Sequence, residues 1–321
     1  MYDTSHRICV IGAGPAGLAA ARALSLVGIA YDQFDAGARV GGIWDIERPG
    51  TPMYDSAHFI SSKTMSGFTG YPMPDHYPDY PRHDQIEAYI EDFAAAHGLN
   101  ERIQFNTSVE DIERQPDGRW RVTLNDGRVK SYFGVICAGG SQWRPKMPEL
   151  KGEFSGEIVH SSTYRSPDLF RGRRVLIVGA GNSGCDIACD AAANAKAAFI
   201  SMRRGYYFIP KHVFGKPADV FEHDGPNLPL WLSRPIMTLL LNWLVGDLTR
   251  LGLQKPDHKL FESHPILNSQ LLHYLQHGDI SAKVDIDRLD GDHVVFKDLN
   301  TGYNFSEEER QKLMQPFYRA E

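Results

Sequence analysis

The sequence contains few cysteines, and none has the spacing of a metal ligand. There are four among 321 residues, namely Cys9, Cys137, Cys185 and Cys189. The first two lie in apolar strand-like runs. The other two lie four residues apart on one predicted helix, where small core residues are expected rather than a redox pair. No metal site is therefore predicted, and this use of cysteine fits a reduced, cytoplasmic protein.

Basic clusters and long apolar runs are also scarce. The formal net charge is −6 and no basic block stands out, which argues against nucleic acid as the main partner. The longest apolar stretch, residues 235–253, is interrupted by Asn242, Asp247 and Arg250. It is too short and too polar for a transmembrane segment, so we expect a buried or cleft-lining helix. The first residues lead directly into a strand without a signal-peptide pattern.

A glycine-rich motif occurs twice in the chain. Gly-x-Gly-x-x-Gly is formed by Gly12, Gly14 and Gly17, and again by Gly179, Gly181 and Gly184. Each copy follows a strand-like run and precedes a helix-like run. In a dinucleotide-binding βαβ unit, these glycines allow a tight turn, the approach of a pyrophosphate and close packing of helix on strand. The repeat predicts two nucleotide sites on one chain.

The first copy has the features of a site for an unphosphorylated ribose. Pro15 and Ala16 open a predicted helix over residues 16–27, since proline is tolerated in the first turn. A strand over residues 30–34 then ends at Asp35. An acid about 20 residues beyond the glycines accepts hydrogen bonds from ribose hydroxyls. This pattern favours FAD.

The second copy differs at that informative position. Its motif continues through Asn182 and Ser183, and its second strand, residues 197–201, leads to Arg203 and Arg204 with no acid. A guanidinium group can pair with a 2′-phosphate, which an acid would repel. This pattern favours NADPH, the alternative being a solvated pair of arginines.

The chain is predicted to be an α/β protein with two Rossmann-like domains, of the three-layer β/β/α and the βαβ kinds, and a small antiparallel meander. We expect an FAD domain over residues 1–165 and an NADPH domain over 166–289 with a helical insertion near 206–280. In the first domain we also predict an irregular segment (44–83), a helix (83–98), meander strands (103–136) with turns at Asp117-Gly118 and Asp126-Gly127, and a further strand (135–140). Beyond it we predict helices near 235–251 and 268–277 and strands near 283–289 and 293–297. The last predicted element is a helix over 306–315, capped by Ser306 and Glu309.

Three further motifs resemble those of the flavin-containing monooxygenases. The first is Phe154-x-Gly156-x-x-x-His160-x-x-x-Tyr164, that family's identifying signature, where related Baeyer–Villiger enzymes usually have Trp in place of Tyr164. The second is Gly41-Gly42-Ile43-Trp44, and the third is Ser201-Met202-Arg203-Arg204-Gly205. The resemblance covers residues 6–297.

The resemblance implies FAD and NADPH as cofactors and a reaction with O2. Reduced flavin would form a C4a-hydroperoxyflavin, whose distal oxygen passes to a small-molecule nucleophile, an amine nitrogen or a sulfide sulfur. No acid–base pair or triad is required. The signature residues would couple the two nucleotide domains. The implied FAD contacts include Gly42, Trp44 and Val109, the implied NADP+ contacts include Ser62 and Lys63, and the candidate catalytic residues are His58, Ser61 and Tyr164.

The sequence departs from the family pattern in two places. Ile60 stands at or near the position of a family asparagine that helps to hold the oxygenated flavin, and isoleucine cannot donate a hydrogen bond. The family's C-terminal return strand has at most a contracted remnant around Gly302 and Tyr303. We therefore expect a C-terminally shortened member in which residues 290–321 complete the FAD domain.

These departures leave alternatives open. One is an uncoupled NADPH oxidase that releases hydrogen peroxide, a second is a Baeyer–Villiger-type monooxygenase, and a third is a non-catalytic nucleotide-binding remnant. The chain is expected to be able to assemble as a homodimer.

Overall fold

The computed structural model describes residues 2–226, 228–297 and 317–319. Their contacts divide the chain into two compact units. Unit 1 comprises Met1–Tyr54 and Ser66–Arg144, and unit 2 comprises Asp55–Met65 and Pro145–Glu321. The segment 55–65 therefore belongs to unit 2, although the chain on both sides of it belongs to unit 1.

The described residues form sixteen strands and seven α-helices. The strands are β1 (Tyr2–Ile11), β2 (Tyr31–Phe34), β3 (Ile103–Gln104), β4 (Val109–Arg114), β5 (Trp120–Leu124), β6 (Val129–Cys137), β7 (Gly152–Phe154), β8 (Ile158–His160), β9 (Arg174–Val178), β10 (Ala197–Ser201), β11 (His212–Val213), β12 (Lys216–Pro217), β13 (Ile280–Lys283), β14 (Ile286–Gly291), β15 (His293–Phe296) and β16 (Phe317–Arg319). The α-helices are α1 (Pro15–Leu26), α2 (Lys63–Ser66), α3 (His83–Ala96), α4 (Asn182–Asn194), α5 (Ala218–Asp224), α6 (Leu230–Val245) and α7 (Gln270–His277).

Unit 1 contains one mixed sheet in the order β3-β2-β1-β6-β5-β4. Strand β1 pairs in parallel with β2 and β6, whereas β6, β5 and β4 form the predicted antiparallel meander. Both predicted Asp-Gly turns are present, with positive φ at Gly118 and Gly127. The strand predicted at 135–140 is not a separate element, because residues 135–137 form the end of β6, which pairs with β1 from Lys130 opposite Tyr2 to Cys137 opposite Ile11 with a register shift between Thr4 and Ile8.

The core of unit 1 lies where the parallel and antiparallel parts of its sheet meet. A cluster of buried side chains joins strands β1, β2, β5 and β6, namely Cys9, Phe34, Val122, Leu124 and Tyr132. The hydrophobic effect fixes strand register here, because a one-residue slip would turn these side chains to the opposite face. Burial raises the pKa of the Cys9 thiol to about 12, so this cysteine is an inert core residue.

A nearly buried ion cluster borders this core. The Asp32 carboxylate accepts hydrogen bonds from Lys130 Nζ and Tyr132 Oη, both at 2.8 Å, and lies 2.7 Å from Arg7 Nη2. Burial by itself raises the pKa of Asp32, but the two hydrogen bonds and the charges of Lys130 and Arg7 outweigh it, so the pKa lies below its usual value. The cluster links β1, β2 and β6 at the side of the parallel sheet.

Unit 2 contains a parallel sheet in the order β13-β10-β9-β16-β8. A smaller three-stranded sheet, β15-β14-β7, and the hairpin β11-β12 lie in the same unit. Residues 145–165, predicted with the first domain, are assigned to unit 2 because β7 pairs with β14 and β8 with β16. The predicted helix over 306–315, its cap and the Gly302-Tyr303 remnant lie outside the described residues.

The helical insertion of unit 2 contains α5, α6 and α7. Helix α6 begins at Leu230, before its predicted start, and ends at Val245, which is followed by Gly246 with φ 75°. It lines a cleft of about 620 Å³, as expected, but it is not a buried helix. Leu241 is buried, whereas Trp231 and Trp243 are 77% and 75% exposed. No helix among the described residues has the length and apolar character needed to cross a membrane.

Candidate functional site

The first glycine turn joins β1 to α1 in unit 1. Gly12 N donates to Phe34 O at 2.8 Å, and Leu18 N donates to Gly14 O at 3.0 Å, which starts the helix. Gly12 has φ 103°, and a Cβ there would lie 2.3 Å from Ala138 O. Only glycine fits at this position, because the turn passes directly against the end of β6.

Gln33 in β2 and Asp35 just after it hold the turn by hydrogen bonds to its backbone. Gln33 is fully buried, and its Nε2 donates to Gly12 O at 2.8 Å. The Asp35 carboxylate accepts hydrogen bonds from Ala13 N and Gly37 N, both at 2.6 Å. Asp35 therefore lies at the end of β2, as expected, and it is oriented by one backbone N–H group of the turn and one of the chain just after β2.

Arg48 and Trp143 also belong to this region, and sequence reasoning missed them. Arg48 Nη1 lies 3.0 Å from Asp35 Oδ1, and its guanidinium carbon lies 4.4 Å from the centre of the Trp143 ring. Arg48 lies in the irregular segment and Trp143 follows the Gly139-Gly140 turn. No local periodicity marks either residue, so only the folded chain reveals this contact.

These residues surround a cavity of about 1400 Å³. The predicted FAD contacts that line it are Gly12, Gly14, Pro15, Ala16, Asp35, Gly42, Trp44 and Val109. Gly17 has a packing role instead, since a Cβ there would lie 2.0 Å from Gly12 O. The volume exceeds the roughly 300–1,000 Å³ typical of small-ligand pockets, and a helix N-terminus opens onto it. The cavity therefore fits a dinucleotide with its pyrophosphate at the glycine turn.

The second glycine turn repeats this geometry in unit 2. Gly179 N donates to Ser201 O at 2.9 Å, and Cys185 N donates to Gly181 O at 3.0 Å. Asn182 and Ser183 begin α4, and Gly184 is buried beneath the turn. The Asn182 side chain accepts a hydrogen bond from Leu267 N at 3.2 Å, which ties the turn to the insertion.

The two arginines beyond β10 have different surroundings. Arg203 is exposed, whereas Arg204 Nη2 donates to Ser263 Oγ at 2.9 Å and its guanidinium lies over the Tyr206 ring. Both follow the end of the strand that corresponds to β2 in the first unit. The helix below contains Cys185 and Cys189, which are buried free thiols whose pKa values are raised by burial. This environment does not suit a redox pair.

The four residues of the signature have structural contacts in unit 2. Phe154 packs on a cluster of buried side chains that includes Leu176. A Cβ added at Gly156 would lie 2.5 Å from the Phe154 ring, so the ring occupies the space that a side chain at Gly156 would need. His160 Nδ1 accepts from Ser162 N at 3.1 Å and caps the short 3-10 helix Ser161–Thr163. These contacts shape the chain between β7 and β9.

Tyr164 anchors the end of that signature. Its side chain is fully buried, it stacks on Phe170 at 5.1 Å, and its hydroxyl donates to Asp190 Oδ2 at 2.7 Å. The Ser56 hydroxyl donates to the same carboxylate oxygen. Asp190, on α4, therefore fixes both the signature and the segment 55–65, and sequence reasoning did not identify it. This arrangement favours a positioning role for Tyr164 over a catalytic one.

The segment 55–65 carries the remaining candidate residues. The His58 ring is hydrogen-bonded to Ser56 O at 2.8 Å, and Ile60 is 38% exposed. Ser61 is half-buried, and the fully buried Ser62 donates its N–H to Asp219 Oδ2 at 2.6 Å. Lys63 begins α2. The structure thus places Ser62 and Lys63 in the unit that contains the second glycine turn.

Comparison with known proteins identifies the family. Residues 5–306 match the flavin-binding monooxygenase-like family. The chain belongs to this family. It is 31% identical to flavin-containing monooxygenase 5 of Cavia porcellus over 94% of the chain, and it spans 62% of that relative's length. It is also 31% identical to a probable indole-3-pyruvate monooxygenase of Arabidopsis thaliana, over 90% of this chain and 70% of the relative.

Solved structures of the family share the fold. The flavin-containing monooxygenase of Stenotrophomonas maltophilia superposes with a TM-score of 0.72 at 23% identity, covering 99% of this chain and 78% of that one. At this identity the likeness concerns the fold alone. The double Rossmann-type architecture predicted for this family member is therefore confirmed.

Proposed function

We propose that the protein is an FAD- and NADPH-dependent monooxygenase that transfers one oxygen atom of O2 to a soft nucleophile. The repeated glycine turn is the observation that supports this most strongly. Both turns have the same backbone hydrogen bonds, but Asp35 follows one of them and Arg203 and Arg204 follow the other. Membership of the flavin-binding monooxygenase-like family supports the same function.

The residues of unit 1 would hold FAD. The glycine turn and the positive end of α1 would face the pyrophosphate, and Asp35 would accept a hydrogen bond from a ribose hydroxyl. A carboxylate has about four acceptor positions, so Asp35 retains acceptor capacity beside its contacts with Ala13, Gly37 and Arg48. When bound, the flavin would supply the redox chemistry that activates O2.

The residues of unit 2 would hold NADPH. The turn from Gly179 to Gly184 would face its pyrophosphate, and Arg203 would pair with the 2′-phosphate. Ser62 and Lys63 are proposed as further contacts. The Ser62 hydroxyl is buried and makes no hydrogen bond within the described residues, which is consistent with a ligand partner.

The proposed substrate is a small amine or sulfide. Transfer of oxygen to a soft nucleophile needs a dry, shaped site rather than an acid–base pair. The chain would act by orienting cofactors and excluding water, and the fully buried Tyr164 and Gln33 fit such positioning roles. Cytoplasmic location and assembly as a homodimer are part of the proposal, and light scattering of the purified chain tests the latter.

A coupled assay tests this function. The chain is reconstituted with FAD, and NADPH consumption, oxygenated product and hydrogen peroxide are measured together for a tertiary amine, a thioether and a cyclic ketone. Amine or sulfide oxide formed in near-equal amount to the NADPH consumed supports the proposal. An ester formed from the ketone would instead identify a Baeyer–Villiger enzyme, and no flavin-dependent reaction at all would refute catalysis.

An uncoupled NADPH oxidase is the second candidate. Ile60 favours it, since this exposed side chain offers no hydrogen-bond donor at or near the position where, by the family resemblance, many members have an asparagine. Peroxide nearly equal to the NADPH consumed, with no oxygenated product, would identify this activity. The variant Ile60→Asn should then shift the balance from peroxide to product.

A further inference from the structure

The solvent-facing side of α7 carries two histidines. His273 and His277 are four residues apart, both are exposed, and their ring centroids lie 4.0 Å from each other. Side chains at positions i and i+4 project from the same helix face, so both imidazoles reach the same volume of solvent.

The helix that carries them is firmly held. Leu271 and Leu275 are buried on the opposite face of α7. Asn268 Nδ2 donates to Asp186 Oδ1 at 2.8 Å, and Asn268 Oδ1 accepts from Leu271 N at 2.8 Å. These contacts fix the rotation of α7 about its axis, so the backbone positions of both histidines are set before any ligand arrives, which lowers the entropic cost of binding.

The electrostatics of this end of α7 favour a cation. His277 is the last residue of the helix, and Gly278, with φ 81°, follows it. The carbonyl end of a helix carries partial negative charge, which attracts cations. The exposed Asp279 follows directly in the sequence and adds a full negative charge.

We propose that His273 and His277 form a bidentate site for a divalent transition-metal ion, with water in the remaining coordination positions. Neutral imidazole nitrogens bind Zn²⁺ at about 2.0–2.1 Å, and two histidines at this helical spacing are a known zinc-chelating arrangement. Affinity should follow the general order in which Cu²⁺ exceeds Ni²⁺ and Zn²⁺. This inference does not depend on the proposed monooxygenase function.

The composition of the site indicates an exchangeable ion. No group of three or more histidine, cysteine or acidic side chains suited to a metal occurs in the described part of the chain. A two-ligand site at the surface leaves open positions, unlike the closed four-ligand sites that hold structural zinc. The bound ion should therefore exchange readily with chelators.

Titration of the untagged full chain with Cu²⁺ tests the proposal. Calorimetry should find one tightest site, and its electron paramagnetic resonance spectrum should show nitrogen ligands. His273→Ala and His277→Ala should each weaken that site at least about tenfold, because each removes the chelate partner. His223→Ala is the matched control, since His223 is exposed in the last turn of α5 and has no histidine four residues away. It should leave the affinity unchanged.

Thermal unfolding provides a second readout. At one fixed Ni²⁺ concentration, the Tm of the wild type and of His223→Ala should rise more than that of the other two variants, because stabilisation by a ligand of the folded state falls as its affinity falls. Alanine favours helix, so the variants should keep α7, as circular dichroism can check. Equal Cu²⁺ affinity in all four proteins would overturn the proposal and assign the ion to others of the thirteen histidines.

Discussion

Arg203 and Arg204 are adjacent in sequence, but their side chains should contribute differently to cofactor choice. Arg203 is exposed at the end of β10, whereas Arg204 is held by Ser263 and Tyr206. We expect Arg203→Ala to raise the KM for NADPH by an amount that corresponds to a loss of about 1.5–3 kcal/mol in binding free energy. The KM for NADH should change little. Steady-state kinetics with both nucleotides measures this difference. Arg288→Ala, an exposed arginine on β14 of the same unit, is the control, and equal losses for NADPH and NADH would show that no 2′-phosphate contact exists.

Asp32 should stabilise unit 1 through its charge. Asp32→Asn would leave Lys130, whose side chain is 11% exposed, without its counterion and should lower the free energy of unfolding by about 3 kcal/mol. The folded-state pKa of Asp32 is lowered, so the stabilisation is complete above the unfolded value of about 3.9 and is lost as the pH falls through the folded-state pKa. Urea unfolding from neutral pH to about pH 3 should therefore show wild type and variant converging at acid pH.

The control for this pair is an exposed carboxylate. Asp126 forms an ion pair with Arg128 at the surface, and Asp126→Asn should change stability little at any pH because solvent screens such pairs. If Asp32→Asn behaved in the same way, the buried cluster would have no stabilising role.

At the scale of secondary-structure elements, the contact between the signature segment and α4 determines whether Tyr164 has a structural or a catalytic role. Tyr164→Phe keeps the stacking on Phe170 but removes the hydroxyl that donates to Asp190. We expect a loss of about 1–3 kcal/mol in the stability of unit 2. Ser56→Ala removes the other donor to the same carboxylate and should act in the same direction. Unchanged thermal unfolding of Tyr164→Phe, combined with a severe fall in kcat, would instead make Tyr164 a catalytic residue.

Elements with a strong local pattern could be predicted from the sequence. The two glycine turns, α1, α3 and the meander follow from glycine placement, periodicity and Asp-Gly turns, all of which act over a few residues. The unbroken β6 was not predicted, since its continuity comes from pairing with β1 rather than from its own residues. The start of α6 at Leu230 was likewise missed.

Several residues of the candidate site were not predicted, because their contacts are with residues far along the chain. The predicted residues that line the large cavity at the glycine turn were identified because a motif or the family resemblance marks them. Arg48, Trp143 and Asp190 were missed because each is defined by a partner far along the chain. The signature residues were identified, but their roles as a core side chain, a cap and a buried anchor became visible only in the fold.

At the scale of the whole molecule, the two glycine turns lie in different compact units, so the loss of one nucleotide should be separable from the loss of the other. Gly14→Val tests this. A Cβ at Gly14 has ordinary contact with Gly42 Cα at 3.5 Å, and the backbone is extended, so the fold should tolerate it. The added methyl groups would crowd the space in which a pyrophosphate must approach the turn.

We therefore expect Gly14→Val to lose flavin absorbance on desalting while retaining NADP+ binding in calorimetry, and Arg203→Ala to show the reverse. Circular dichroism establishes that both variants are folded. If Gly14→Val also abolished NADP+ binding in a folded chain, the two sites would not be independent, because binding at the second turn would then require an occupied first one. If wild type itself retained no flavin, the assignment of the cavity in unit 1 to FAD would be wrong, whereas NADP+ binding to unit 2 could still be measured in the same sample.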